Sequence, residues 1–588
     1  MRRARARWGD KKPSKIPLRA RKGLPSALLY PKWGNERKIV MKKHEKKAAL
    51  NLSNLSKKSR LLMVAVVILG MAQFPMENYS TLVSAQALDY AGKGELEQMA
   101  RCLLLCLGLF LVNHLLPIVW EWFRQRLYAD EWIGLKDDML RSMFRRPSRL
   151  FRRENDAYYL NLFNTDSTTY MSYLGSVMLL CNWSMAILSG SFFLWGMSPA
   201  LCVTALLAAG LPFLANKPFE KMTTKAKNDH SKAAEVHSGV LKETLEGYEA
   251  IRADNHTGAA LERFHESSEK NHRARAWLNV ADEISRMFFF GVAGLANLVC
   301  IALGGWLILR GELSIAMMLA AKVYFVQVAN AVGNVQSYII QIRSTRDIRA
   351  KLAREVNEPA DDGTAAVDPA NPVTVEYQDL SFGFGDRQLY KDLSCAFEPG
   401  GCYAILGESG SGKSTLTKLL LKYYDDYQGT ITLAGQDIRE LSEDEIYRVV
   451  GLVSQSPFLF NVSLYENITM FTGAPGKDSE EYKKLLSDLN LTALAQRVGD
   501  APLGDFGDNI SGGERQRINI ARALRSHPAI LIFDEPTTGL DPENVALIDQ
   551  FIFDRKDVTR IVITHNWVEA YLSRFDAVLR IGEKAAVA

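Results

Sequence analysis

Gly407-Glu408-Ser409-Gly410-Ser411-Gly412-Lys413-Ser414-Thr415 follows directly on the apolar run Tyr403-Ala404-Ile405-Leu406. The stretch has the form G-x-x-x-x-G-K-[ST], entered from a strand and left by a helix opening at Lys413-Ser414-Thr415-Leu416. Glycines let the backbone curl until successive N–H groups converge on phosphate oxygens. The helix N-terminus adds its partial positive charge. Lys413 suits the outer phosphates of a nucleoside triphosphate, and the Ser414 hydroxyl suits a Mg2+ ion. A chance match in a glycine-rich turn would not carry the strand before it and the helix after it.

Two stretches downstream sharpen this reading. Ala529-Ile530-Leu531-Ile532-Phe533 is wholly apolar and ends in Asp534-Glu535. A buried parallel strand delivers such carboxylates at its C-terminal end, where ligands bind in these sheets. Asp534 is placed to hold Mg2+ and Glu535 to polarise an attacking water. Acidic pairs after strands are common, so this signal alone is moderate. Ile510-Ser511-Gly512-Gly513-Glu514 then opens a helix through Ala521-Arg522-Ala523-Leu524, a second phosphate cradle. One nucleotide does not need two cradles from one chain. The sequence therefore predicts two chains head to tail, with ATP between one chain's Gly407–Thr415 and the other's Ser511-Gly512-Gly513.

The chain has 588 residues, 47% hydrophobic and 23% charged, too many for a single domain. Its formal charge of +5 hides an asymmetry: residues 1–60 hold 20 Lys and Arg against 3 Asp and Glu, leaving −12 on the rest. This basic arm has no steady period and reads as mostly disordered. It serves either to set membrane topology or to attract anionic headgroups. The seven cysteines form no C-x-x-C pattern. Cys102 and Cys106 lie one turn apart, and packing is the simpler reading of them than a disulfide. Nothing resembles a cleaved signal peptide.

Six apolar segments of membrane-spanning length follow the arm, near 61–83, 102–123, 173–195, 199–216, 284–309 and 313–342. Lys and Arg concentrate after the second, fourth and sixth, which puts both chain ends and the loops at 124–173 and 217–284 in the cytoplasm of a cell-membrane protein. Those two loops are amphipathic and helical in pattern. Residues 355–372 are rich in Asp, Ala, Gly and Pro and mark a boundary, beyond which strands and helices alternate. The expected fold is an all-α transmembrane domain of six helices with long cytoplasmic extensions, followed by an α/β P-loop nucleotide-binding domain. The division is arm 1–58, membrane domain 59–352, linker 353–372 and nucleotide-binding domain 373–588.

Together these motifs resemble the ATP-binding cassette (ABC) transporters, and more narrowly the half-transporters of the exporter fold. The resemblance runs from about Ser59 to Gly582. It implies Walker A at Gly407–Thr415, Walker B at Ile530–Glu535 and the signature at Ile510–Glu514, here I-S-G-G-E rather than the common L-S-G-G-Q. It further implies that Gln455 is the Q-loop residue near Mg2+, His565 the switch histidine and Asp541 the D-loop residue, and that Leu503–Gly507 is the loop before the signature. Phe384 stands where the family usually has a base-stacking Tyr, and a π-face is all that stacking needs. Coupling segments are implied near Tyr158–Thr169 and Ala234–Ile251. Alone, a strand-end His or a loop Gln would more often be structural; the ordered set is not.

For the cargo, the sixth segment offers Gln327, Asn330, Asn334, Ser337 and Gln341 on one stripe. Amides at membrane depth line a wet cavity or meet another helix. Asn113 and His114 in the second segment are further candidates, the histidine because an intramembrane ionisable group is a functional hypothesis by default. No run of fixed charge is evident, which favours an amphipathic small molecule, peptide or lipid over an ion. Import on the same fold, as of metal–siderophore complexes, stays open, as does the choice between an identical and a homologous partner chain. A soluble ATPase acting on nucleic acid or ribosomes would leave the six spans unexplained, and no nucleic-acid partner is expected.

Overall fold

The computed structural model describes residues 50–582 except 362, 369–371, 386 and 505–508, with side chains at 54, 212–218, 220, 289, 290 and 293 also left aside. Most of the basic arm and part of Leu503–Gly507 therefore lie outside the described residues.

Six long helices lead: α1 (Lys57–Lys93), α2 (Leu96–Arg145), α3 (Ser167–Met197), α4 (Pro199–Glu246), α5 (Thr257–Leu309) and α6 (Ile315–Ser344). Among the described residues four stretches are long and apolar enough to cross a membrane, those of α1, α2, α3 and α6. α4 and α5 carry shorter described apolar runs, Pro199–Leu211 and Gly294–Leu309. Their ends follow local chemistry. The Ser56 hydroxyl caps α1 by accepting from Ser59 N at 3.0 Å, and Pro199 starts α4 where its missing N–H costs nothing. Ser314 caps α6 and also donates to Asp89 at 2.9 Å.

α1 runs ten residues beyond the expected end at Val83, until Gly94 terminates it in the left-handed region at φ 78°. Asn78 lies in the middle of α1. It is buried, donating to Ser189 Oγ at 3.0 Å while its carbonyl accepts from the Tyr324 hydroxyl at 2.6 Å, which ties α1, α3 and α6 together. Beyond the apolar region α4 and α5 pack along each other as an antiparallel pair, closed at the tip by a short helix, Tyr248–Ala253. The second expected coupling segment, Ala234–Ile251, is therefore mostly the end of α4.

The chain leaves α6 through α7 (Arg346–Val356), so the expected linker start at 353 is still helical. Two sheets follow. One is antiparallel, in the order β2 (Arg387–Phe397), β1 (Val375–Phe384), β4 (Gln428–Leu433), β5 (Gln436–Asp437). The other is parallel, in the order β6 (Val450–Val453), β7 (Ile530–Asp534), β8 (Thr559–Thr564), β3 (Cys402–Gly407), β9 (Ala577–Ile581). Ile530–Phe533 and Ile561–Ile563 are buried on both faces, which explains their unbroken apolar runs. Register pairs Leu406 with Thr564 and Asp534 with Ile563, so the C-terminal ends of β3, β7 and β8 meet at one edge.

The helical and α/β parts touch through a polar knot. Pro147 turns the chain after α2, and the Ser148 N–H and hydroxyl both donate to Glu443, the former at 2.7 Å. Arg149 pairs with Asp425, and the Arg152 guanidinium lies 4.1 Å from the Tyr423 ring. These contacts come from 148–152, about one element earlier than the expected Tyr158–Thr169. Tyr158 instead donates to Glu355 at 2.5 Å, at the end of α7.

Candidate functional site

β3 leads into the glycine loop and then α8 (Lys413–Leu420). Gly410 and Gly412 adopt φ 77° and 106°, which L residues rarely reach. The Tyr390 hydroxyl donates to the Gly412 carbonyl and Arg387 Nη2 donates to that of Gly410 at 2.8 Å, so β2 fixes the loop from behind. Nothing in the residues around the loop signals these two supports. Ser411 Oγ is buried without a hydrogen-bond partner among the described residues.

Lys413 is buried and donates to the Gly407 and Glu408 carbonyls, each at 2.9 Å, with His565 Nδ1 at 3.4 Å. Burial lowers its ammonium below the usual lysine range, against the pull of Glu535 and Asp534. The Ser414 hydroxyl donates to Asp534 Oδ1 at 2.8 Å. Burial raises the Asp534 carboxyl, partly offset by that hydrogen bond and assisted by the neighbouring Glu535 charge. Gln455 Nε2 donates to Glu535 Oε2 at 2.8 Å, and His565 Nε2 contacts Glu535 Oε1. With Lys413 donating to Nδ1, the consistent neutral tautomer of His565 carries its proton on Nε2. Lys413, His565, Glu535 and Gln455 thus form one hydrogen-bonded chain, and Ser414 and Asp534, their neighbours in sequence, form a bonded pair beside it, the six residues coming from four separate stretches.

The Phe384 ring is half-exposed at the end of β1, braced edge-on by Phe382 and Tyr424 at centroid distances of 5.1 and 5.2 Å. That leaves a face free to stack. Asp541 caps α12 (Pro542–Asp554), accepting from Asn544 N at 3.0 Å. Ser511 caps α11 (Gly512–Leu524) in a reciprocal box with Glu514. Gly513 packs where a side chain would strike Asn544, which brings Asp541 and the second cradle side by side. Among the described residues no hydrogen bond joins Ser511-Gly512-Gly513 to Gly407–Thr415.

In the helical part Asn330, Ser337 and Gln341 lie on the exposed side of α6. Asn334 is half-buried and donates to its own turn, to the Asn330 carbonyl at 2.9 Å. Gln327 does not share that open side: a Cβ on Gly190 of α3 would lie 3.4 Å from its Oε1, so it belongs to the α3–α6 contact. His114 is not brought to the stripe either. It is exposed among Leu111, Leu115 and Ile118 on α2, which packs chiefly on α1, and its Nδ1 lies 2.9 Å from the Phe110 carbonyl of its own helix. Lys322 is exposed on α6 two turns before Asn330; a single lysine in that apolar run was the signal for it.

Residues 61–332 match the family described as the ABC transporter transmembrane region, and residues 390–538 match the family described as ABC transporter. The chain is 30% identical over 403 residues to the mycobactin import ATP-binding/permease protein IrtB of Mycolicibacterium smegmatis, covering 67% of this chain and 68% of that one. It is 29% identical to an ATP-dependent lipid A-core flippase of Desulfotalea psychrophila, over 67% of each chain. A solved bacterial Atm1-family ABC exporter with ATP bound shares the fold at a TM-score of 0.74 and 20% identity, covering 90% of this chain and 94% of that one.

Proposed function

Because the chain belongs to the ABC transporter family, as a membrane-embedded half-transporter that couples ATP hydrolysis to transport, we propose how its own residues divide the work. Gly407–Thr415 cradles the triphosphate, with Lys413 turning from the Gly407 and Glu408 carbonyls to the outer phosphates. Phe384 stacks on the base. Glu535 accepts the proton of the attacking water, held in line by Gln455 and His565. The donors fit Mg2+, which needs only one or two carboxylates beside substrate phosphates: a hydroxyl and a carboxylate already meet at Ser414 and Asp534, and Gln455 adds a carboxamide. When bound, the ion would offset charge on the phosphate oxygens. Ser511, Gly512, Gly513, Glu514 and Asp541 close the site of a second half-transporter, identical or homologous, so that two ATPs lie between two cassettes. The observation that carries this division is the hydrogen-bonded group spanning Lys413 to His565, from which the second cradle stands apart.

Closure on ATP would move the membrane helices through the knot at Ser148 and Glu443. Glu443 is buried against Ser148, and burial raises its carboxyl despite two hydrogen bonds from that residue. Glu443→Ala is expected to cut transport roughly tenfold, as loss of hydrogen bonds to a charged group implies, while basal ATPase stays within about twofold. Equal losses in both would place Glu443 in folding of the cassette rather than in coupling.

For cargo we favour export of an amphipathic small molecule, peptide or lipid from a cavity lined by Asn330, Asn334, Ser337 and Gln341, with both chain ends and the cassette in the cytoplasm of a cell membrane. Membrane lipids are its surroundings in either direction. Import is the second reading, favoured by the similarity to a relative named for mycobactin import. Inside-out vesicles separate the two: ATP-dependent accumulation of cargo supports export, and ATP-dependent loss of preloaded cargo supports import.

A further inference from the structure

The second cradle carries a carboxylate of its own. Glu514 Oε2 accepts from Ser511 N at 2.8 Å and from the Ser511 hydroxyl at 3.0 Å. A negative charge therefore sits one hydrogen bond from the hydroxyl that, in the reading above, meets the partner's ATP. That charge opposes an incoming triphosphate, and it also holds the Ser511 proton away from it. Arg497, on α10 (Thr492–Val498), answers both effects. Its Nη2 reaches Glu514 Oε1 at 2.9 Å and Oε2 at 3.0 Å. The Glu514 side chain is only 15% exposed and Arg497 is 56% exposed, so the carboxylate is sheltered while the guanidinium faces outward. Burial alone would raise Glu514, yet the Ser511 N–H and Arg497 hold it below the usual glutamate range, ionised at neutral pH. An exposed ion pair usually contributes little to stability. Here its consequence is local: it decides the charge presented beside Ser511.

We propose that Arg497 is a positioning residue for the ATP of the partner chain, neutralising Glu514 and loosening its hold on the Ser511 hydroxyl so that this edge accepts the triphosphate. The proposal rests on the reading that Ser511-Gly512-Gly513 closes a site across the dimer.

The test is a double-mutant cycle on the full-length transporter in nanodiscs, reading ATPase against ATP concentration. Arg497→Ala is expected to raise the KM for ATP roughly tenfold with kcat lowered less than about threefold, a loss of binding rather than of chemistry. Arg497→Lys should stay within about threefold of the parent, since it keeps the charge and loses the planar fork. In a Glu514→Gln background, Arg497→Ala should shift KM less than about twofold, because no carboxylate is left to neutralise. High salt should narrow the Arg497→Ala defect by screening the repulsion. The same fold-change in both backgrounds, or an unmoved KM, overturns the proposal. Ser511→Arg in the same preparation separates the layers. If it abolishes ATPase while the cycle is additive, only the role of Arg497 falls. If it leaves ATPase intact, the cross-dimer site itself is wrong. The Arg497 side chain lies on the surface, so its replacement leaves the fold in place to be measured.

Discussion

Glu535→Gln is expected to keep ATP bound and to lower turnover by about a hundredfold or more, the usual cost of removing a positioned general base. Glu535 is held for that task. Its backbone sits at φ 49°, uncommon outside glycine, and its N–H donates to the Ile563 carbonyl at 3.1 Å. Gln455 and His565 occupy one carboxylate oxygen each. A carboxamide fills the same volume and keeps one acceptor for these neighbours, yet it cannot take a proton from water. Binding should survive because Lys413, Ser414 and the loop are untouched. ATPase and equilibrium ATP binding measured on the same sample check this per site. Near-normal hydrolysis at a site built on this chain's Asp534-Glu535 would remove Glu535 from the role of base.

Gly412→Ala should act on binding instead, weakening ATP by about a hundredfold, equivalent to ~3 kcal/mol. Two effects combine. At φ 106° an alanine is strained by roughly 1–3 kcal/mol. Its Cβ would also lie 2.8 Å from the Tyr390 hydroxyl and 3.2 Å from the ring carbon bearing it. Tyr390 is buried, with its hydroxyl committed to the Gly412 carbonyl, so it has nowhere to swing. The Gly412 carbonyl in turn accepts from Thr415 N at 2.7 Å, the first turn of α8. Disturbing it misaims the N–H groups that face phosphate. Titration with a fluorescent ATP analogue reads the loss; an affinity within threefold of the parent would mean that the loop tolerates a side chain there.

What was legible in the sequence was whatever local chemistry writes. The glycine loop, the apolar strand before Asp534-Glu535 and the capped start at Ser511 each show in a few consecutive residues. So does the order of six apolar segments ahead of an α/β region. Boundaries were less legible: α1 continues past Val83 because polar helix formers extend it until Gly94 stops it. Period alone marks the cargo stripe, and period does not say which neighbour a face meets. Gln327 shares the spacing of Asn330 and Ser337 but turns to Gly190, and His114 stays with α2. Contacts between distant stretches were invisible. Arg497 meets Glu514 only because α10 and α11 fold together, and Tyr390 meets Gly412 only because β2 crosses behind the loop.

The central claim is that Gly407–Thr415 is half of a site whose other half, Ser511-Gly512-Gly513, comes from a second chain. A small photo-activatable diazirine residue in place of Ser511, in the Glu535→Gln transporter purified from membranes, tests it with peptide mapping of the adduct. With ATP present, the cross-link should form to a glycine loop on a different polypeptide and should vanish without ATP. A cross-link to the same chain's Gly407–Thr415, or one indifferent to ATP, would contradict the composite site.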